Sequence, residues 1–211
     1  MTLPIAKLER PALADALVAS GPDAPTLCEG WSAYDLVAHL VVRENKPIAT
    51  IGIVAASLGQ LHERAIERTK LRSSFESLVE RFRSGPPLAW KLVDDLFNGQ
   101  EFFIHHEDLR RGGGNTEPRP AEEIAGIEDQ LWRLLERGKR FAVRGIKDVG
   151  VELTRPDGAA ITARRGEPKA IIAGRPGEIL LYLSGRKSAA HVELRGDPDA
   201  IAQVEAARLG I

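Results

Sequence analysis

The chain has 211 residues, 43% of them hydrophobic, which is enough apolar material to bury a core in one large domain or two small ones. Its 29 Lys and Arg are balanced by 30 Asp and Glu, so neither a nucleic-acid-binding surface nor an acidic disordered tail is expected. A single cysteine, Cys28, excludes an intramolecular disulfide and a Cys-rich zinc module, and no run reaches the roughly eighteen apolar residues of a membrane span. These features point to a cytoplasmic protein with no membrane and no nucleic-acid partner.

Taken in order, Ile5, Leu8, Leu13, Leu17 and Val18 recur at helical spacing and predict a helix from Ile5 to about Ser20, stopped by Gly21-Pro22. After a loop containing Pro25 and Cys28, Ser32 followed by Asp35 resembles a capping box, which starts a second helix. In its run Leu36-Val37-Ala38-His39-Leu40-Val41-Val42 the only polar side chain is His39, the pattern of an interior helix. Pro47 breaks it, and Ile48 to Leu61 reads as a less distinct helical segment. Ser73 or Ser74 caps a further helix through Phe82, ended by Gly85-Pro86-Pro87.

A long helix is predicted from about Ala89 to Arg111. At about 100° per residue, Leu92, Val93, Leu96, Phe97, Phe103 and Ile104 share one face, while Asp94, Asn98, Glu101, His105 and Asp108 form a polar stripe beside it. The wheel leaves open whether that stripe meets water or an internal site. Gly112-Gly113-Gly114-Asn115, Pro118 and Pro120 read as a flexible connector. A helix over Ala121 to Arg144 follows.

After Gly145 the apolar period changes from about 3.6 to 2. Val149, Val151 and Leu153 begin a strand, Pro156-Asp157-Gly158 turns it, and Ala160 to Ala163 is the hairpin partner. Lys169 to Ala173 is a third strand, Pro176 opens a helix that Gly185 stops, and His191 to Leu194 is a fourth strand. Asp197-Pro198 caps a last helix with Ile201 and Val204. The fold class is α+β: a helical bundle over 1–146 followed by a small α+β domain over 147–211.

Glu101 and His105 lie one turn apart on one helical face, and His39 offers a third ligand from a facing helix. Two histidines and a glutamate meet the count of a catalytic zinc or similar divalent site, which keeps a position open for water or substrate. The plainer alternatives are a hydrogen-bonded core histidine and a solvated Glu-His pair. His106 lies about 100° round the helix from His105 and off the Glu101 face, so helical geometry favours His105. Asp94, Asn98 and Asp108 either orient ligands or meet water. Cys28 has no adjacent histidine or cationic cluster in sequence and reads as a small buried hydrophobe. Trp31, Trp90 and Trp132 read as packing residues, His62 and His191 as isolated exposed or strand-edge residues, and Arg186 either as a cation for an anionic substrate or as a helix-end cap. No nucleotide-binding glycine motif occurs.

Gly30-Trp31-Ser32-Ala33-Tyr34-Asp35-Leu36-Val37-Ala38-His39-Leu40, with Glu101-Phe102-Phe103-Ile104-His105-His106-Glu107-Asp108-Leu109-Arg110, resembles the DinB-like, mycothiol-dependent maleylpyruvate isomerase family of actinobacteria. More narrowly, the chain is similar to an actinobacterial family described only as metal-binding proteins. Gly174 to Arg186 looks like that family's small C-terminal domain, so the resemblance covers the full length. It implies a DinB-like four-helix bundle before that domain, with His39, Glu101 and His105 on the family's metal triad and water completing the ion's shell. It also implies a role for the thiol mycothiol and for an arginine of the C-terminal domain, for which Arg186 is the candidate.

The expected function is therefore that of a divalent-metal protein, zinc being the expected ion. It would act as an isomerase or S-transferase that uses a low-molecular-weight thiol on a small electrophile. The alternative is a non-catalytic metal-binding or ligand-sensing protein with a closed site, in which His106 or Asp108 is the fourth ligand. The sequence leaves the oligomeric state open.

Overall fold

The computed structural model describes residues 3–45, 56–86 and 98–210. These divide into two compact units, 1–115 and 116–211. The first contains α1 (Ile5–Ser20), α2 (Ala33–Asn45), α3 (Ala56–Lys70), α4 (Phe75–Ser84) and α5 (Gly99–Gly112). The second contains α6 (Ala121–Ala142), β1 (Gly150–Thr154), β2 (Ala160–Arg164), β3 (Lys169–Ala173), α7 (Pro176–Leu183), β4 (Glu193–Gly196) and α8 (Pro198–Ala206). Together they are α+β, as expected.

In the helical unit, local sequence rules set the ends of the elements. Gly21 adopts φ +79° and its N–H closes α1 on the Leu17 carbonyl. The capping box is present: the Asp35 carboxylate accepts from the Ser32 N–H at 3.0 Å and from its hydroxyl at 2.7 Å. Ser74 caps α4 by accepting from the Ser77 N–H. α1 packs on α5 and α4, and α2 packs on α3 and α4. Leu13, Leu17, Leu36, Leu40, Phe82 and Phe102 are fully buried between them. The expected break at Pro47, the segment from Ile48 to residue 55, and Trp90, Leu92, Val93, Asp94, Leu96 and Phe97 of the expected long helix lie outside the described residues.

Gly112 does not belong to a loose connector. It ends α5, and a Cβ there would meet the Pro25 carbonyl oxygen at 2.2 Å. Only glycine lets the 21–32 loop lie this close to the helix. The loop is fastened there by the Leu27 N–H, which donates to the Asp108 carbonyl at 3.0 Å.

In the second unit the sheet order is β2-β1-β3-β4, with β1 antiparallel to β2, parallel to β3, and β3 antiparallel to β4. α6 packs on α7 and β2, so this helix belongs with the sheet, and the units part at 115/116 where the sequence suggested 146/147. The expected fourth strand at His191 to Leu194 is shifted to Glu193–Gly196. The His191 N–H is used by the Glu178 carboxylate at 2.8 Å, and Ala170 pairs with Gly196. Asp197 caps α8 through the Asp199 and Ala200 N–H groups.

Candidate metal centre

The polar stripe of α5 faces the interior. From Phe102 to Leu109 every residue of this helix is buried, and the Glu101 side chain is only 12% exposed. α2 turns His39 toward the same place: its ring centroid lies 4.9 Å from that of His105, at 72°. His39, Glu101 and His105 form a group of potential ligands whose donor atoms all lie within 4.8 Å of one another.

The wiring of the two histidines leaves the same nitrogen of each available. His105 Nδ1 is 3.0 Å from the Asp108 carboxylate, which can only accept when ionised, so in the neutral ring Nδ1 carries the proton and Nε2 keeps its lone pair. Nε2 stands 3.6 Å from Glu101 Oε2. That is too long for a hydrogen bond, but close to the roughly 3.4 Å edge that two ligands at about 2.05 Å subtend at a tetrahedral ion. His39 Nδ1 is 2.7 Å from His62 Nε2, while His39 Nε2 is buried with no hydrogen-bond partner. A buried unsatisfied nitrogen is costly unless it has a use, and ligation is one. Burial holds His39 well below the ordinary imidazole range, with His105, His62 and Arg43 acting in the same direction. Burial likewise lowers His62, helped by Arg43. Neutral imidazole is the form a metal takes. By donor chemistry, spacing and the orphaned nitrogen, these residues fit a divalent ion.

Further residues bear on the site that the sequence did not single out. His62, expected to be isolated, is the partner of His39. Arg43, one turn after His39, reaches Glu101 at 3.6 Å and donates to Asn98 Oδ1 at 3.1 Å. Its spacing on α2 was a usable signal, whereas nothing local marked His62. Cys28, expected to be a hydrophobe without a histidine neighbour, is half-buried. Its Sγ lies 3.2 Å from Asp108 Oδ2 and 4.0 Å from His105 Nδ1, and with them it forms a second group of potential ligands. Asp108 thus accepts from both. Trp31 packs its ring 5.0 Å from that of His39.

His106 points elsewhere, to Glu9 at 2.7 Å. His191 is exposed. Trp132 is buried on α6. Arg186 stands beyond the end of α7 in the other unit, where its guanidinium donates to the Ser184 carbonyl at 2.7 Å and its N–H to the Leu181 carbonyl, a helix-end contact.

Fold and site together define a helical unit with a candidate two-histidine, one-glutamate metal centre, joined in sequence to a small α+β unit. Two solved structures resemble the fold of the chain. A mycothiol-dependent maleylpyruvate isomerase superposes with a TM-score of 0.61 at 19% identity, over 92% of this chain and 91% of that one. A histidine-to-alanine mutant of that isomerase gives 0.54 at 18%, with the same coverage. At this identity the likeness carries the fold alone. No family model and no curated protein matches the chain.

Proposed function

We propose that this chain is a divalent-metal protein that holds an ion, zinc in the first instance, on His39, Glu101 and His105, within a DinB-like four-helix core. The observation that carries this reading is the convergence of two imidazoles and a carboxylate, with ligand atoms within 4.8 Å of one another and the His39 Nε2 buried without a hydrogen-bond partner. His62 and Asp108 fix the two rings, and Arg43, 3.6 Å from Glu101, orients its carboxylate. His106 is drawn to Glu9 and Asp108 to His105 Nδ1, which supports a site with a position left open rather than a closed structural one.

A divalent ion held by His39, Glu101 and His105 would act as a Lewis acid, lowering the pKa of a thiol brought to it at neutral pH. We therefore infer a thiol-dependent isomerase or S-transferase acting on a small electrophile, with a low-molecular-weight thiol of the mycothiol kind as co-substrate. The likeness to the mycothiol-dependent isomerase supports this assignment through the fold. Arg186 is the arginine we assign to the substrate on the basis of the family resemblance. Arg186→Ala should lower turnover and leave metal content unchanged.

Elemental analysis of the purified protein should give about one divalent ion per chain, and His39→Ala should lose it. Full occupancy in that variant would sink the triad. In cobalt-substituted protein, added thiol should shift the visible spectrum, as an exchangeable position requires. An unresponsive spectrum would instead identify a closed, non-catalytic site.

A further inference from the structure

Apart from the metal centre, a half-open cavity of about 380 Å³ lies among α2, α3, α4 and the turn joining the last two, within the helical unit. Val41 and Val42, both buried, supply an apolar wall, and Arg68, Arg72 and Arg81 supply the charge. Among the described residues none of these three guanidinium groups meets a carboxylate or any other hydrogen-bond partner.

The neighbouring cations behave differently. Lys70 is paired with Asp35 and Glu67, and Arg83 with Asp15 at 2.7 Å and Glu80 at 3.8 Å. The fold therefore matches the cations around the cavity to acids and leaves those lining it unmatched. Stabilisation of helix C-termini accounts for Arg68 on α3 and Arg81 on α4, since cations there complement the helix dipole. It does not account for Arg72, which lies past the end of α3, nor for all three lining one cavity. The Thr69 hydroxyl donates to the Ala65 carbonyl at 2.8 Å, so the arginines are left to recognise a ligand.

Guanidinium forks match the paired oxygens of phosphate and carboxylate, and the volume falls in the range of small-molecule sites. We propose that this groove is a second ligand site, for a small organic dianion. Arg68, Arg72 and Arg81 hold the charge of a phosphomonoester or dicarboxylate, and its hydrocarbon body lies on Val41 and Val42. The site is independent of the metal reading.

Calorimetric titration of the metal-loaded protein at low ionic strength tests it, with phenyl phosphate, phthalate and the monoanion benzoate as probes. One dianion should bind saturably at a single site, about tenfold or more tighter than benzoate, and added salt should weaken it. Which dianion wins distinguishes the phosphorylated from the dicarboxylic ligand. Arg72→Gln and Arg81→Gln, at exposed positions that leave the fold intact, should each weaken binding about tenfold. Chelator-stripped protein should bind equally well. The proposal is overturned if neither dianion saturates at millimolar concentration, if the double variant binds unchanged, or if binding disappears with the metal and so belongs to the metal centre.

Discussion

The two units bury different things. Among the described residues, the helical unit takes Glu9, Arg10, His39, Glu44, His105, His106, Glu107, Asp108 and Arg111 out of water, whereas the α+β unit takes only Glu128 and Glu178. In the latter the two carboxylates serve the backbone. Glu128 accepts from the Gly177 N–H and from Arg175, fixing the start of α7 against α6, and burial pushes its pKa up. Glu178 accepts from the His191 N–H. In the helical unit the buried charges answer one another. Arg10 pairs with Glu44, donates to the Phe82 carbonyl, and lies over the Phe82 and Phe102 rings at 5.0 and 4.7 Å; Glu107 pairs with Arg111. Burying charge is expensive even when it is paired, so a unit that does so repeatedly around two histidines gives up stability where an apolar core would not. The difference sets the helical unit apart by its energetics, separately from any motif.

That contrast can be broken by substitution. The largest effect is expected from Glu44→Ala, which leaves Arg10 buried without its carboxylate and should cost about 3–5 kcal/mol in denaturant unfolding. A loss under 1 kcal/mol would mean that the buried charges of this unit are not mutually dependent. Leu153→Ala in the centre of the sheet, a fully buried apolar position, should cost about 2–5 kcal/mol and leave metal content unaltered. Metal loss in that variant would deny the functional separation of the units.

Asp108→Asn keeps the shape of the Cys28 and His105 contacts but weakens the acceptor that fixes His105, so metal affinity should fall about 10–100-fold with little change in helix content. Unchanged affinity would reduce Asp108 to a packing residue. The smallest effect is expected at the α2 cap, where Asp35→Ala should cost about 1 kcal/mol. Burial raises the Asp35 pKa, but hydrogen bonds from Lys70 and Ser32 outweigh it, and the net shift is downward from 3.8. The folded value being the lower one, this contribution is complete above pH 3.8 and is lost as pH falls through the folded pKa. Asp35→Ala should therefore flatten the acid limb of the stability curve, and an unchanged limb would assign it to other carboxylates.

Much of the secondary structure was legible because its signals are local. The Ser32–Asp35 box, the Ser74 and Asp197 caps, the Gly21 and Gly185 stops and the switch to period 2 after Gly145 each act within a few residues of the place they mark. The candidate triad was legible in part, since four-residue spacing puts Glu101 and His105 on one face. His39 was offered as their partner by its place in an apolar helix, and the family resemblance strengthened that choice. Where the reading failed, the missing fact was a distant neighbour. Cys28 looked inert because the groups beside it, His105 and Asp108, are some eighty residues away in sequence. His62 looked isolated because its partner is on another helix, and α6 looked like part of the helical domain because nothing in it names the sheet it covers.

By itself, then, the sequence determined the class, the caps, the first three strands and which residues share a helical face, all set by the chain's local geometry and periodicity. Tertiary structure decided that the polar stripe of α5 points inward. It also decided that His39 keeps a bare Nε2, that Gly112 admits the Cys28 loop, and that β1 pairs in parallel with β3. Each of these depends on which surfaces are removed from water together, a choice made by packing among elements distant in sequence.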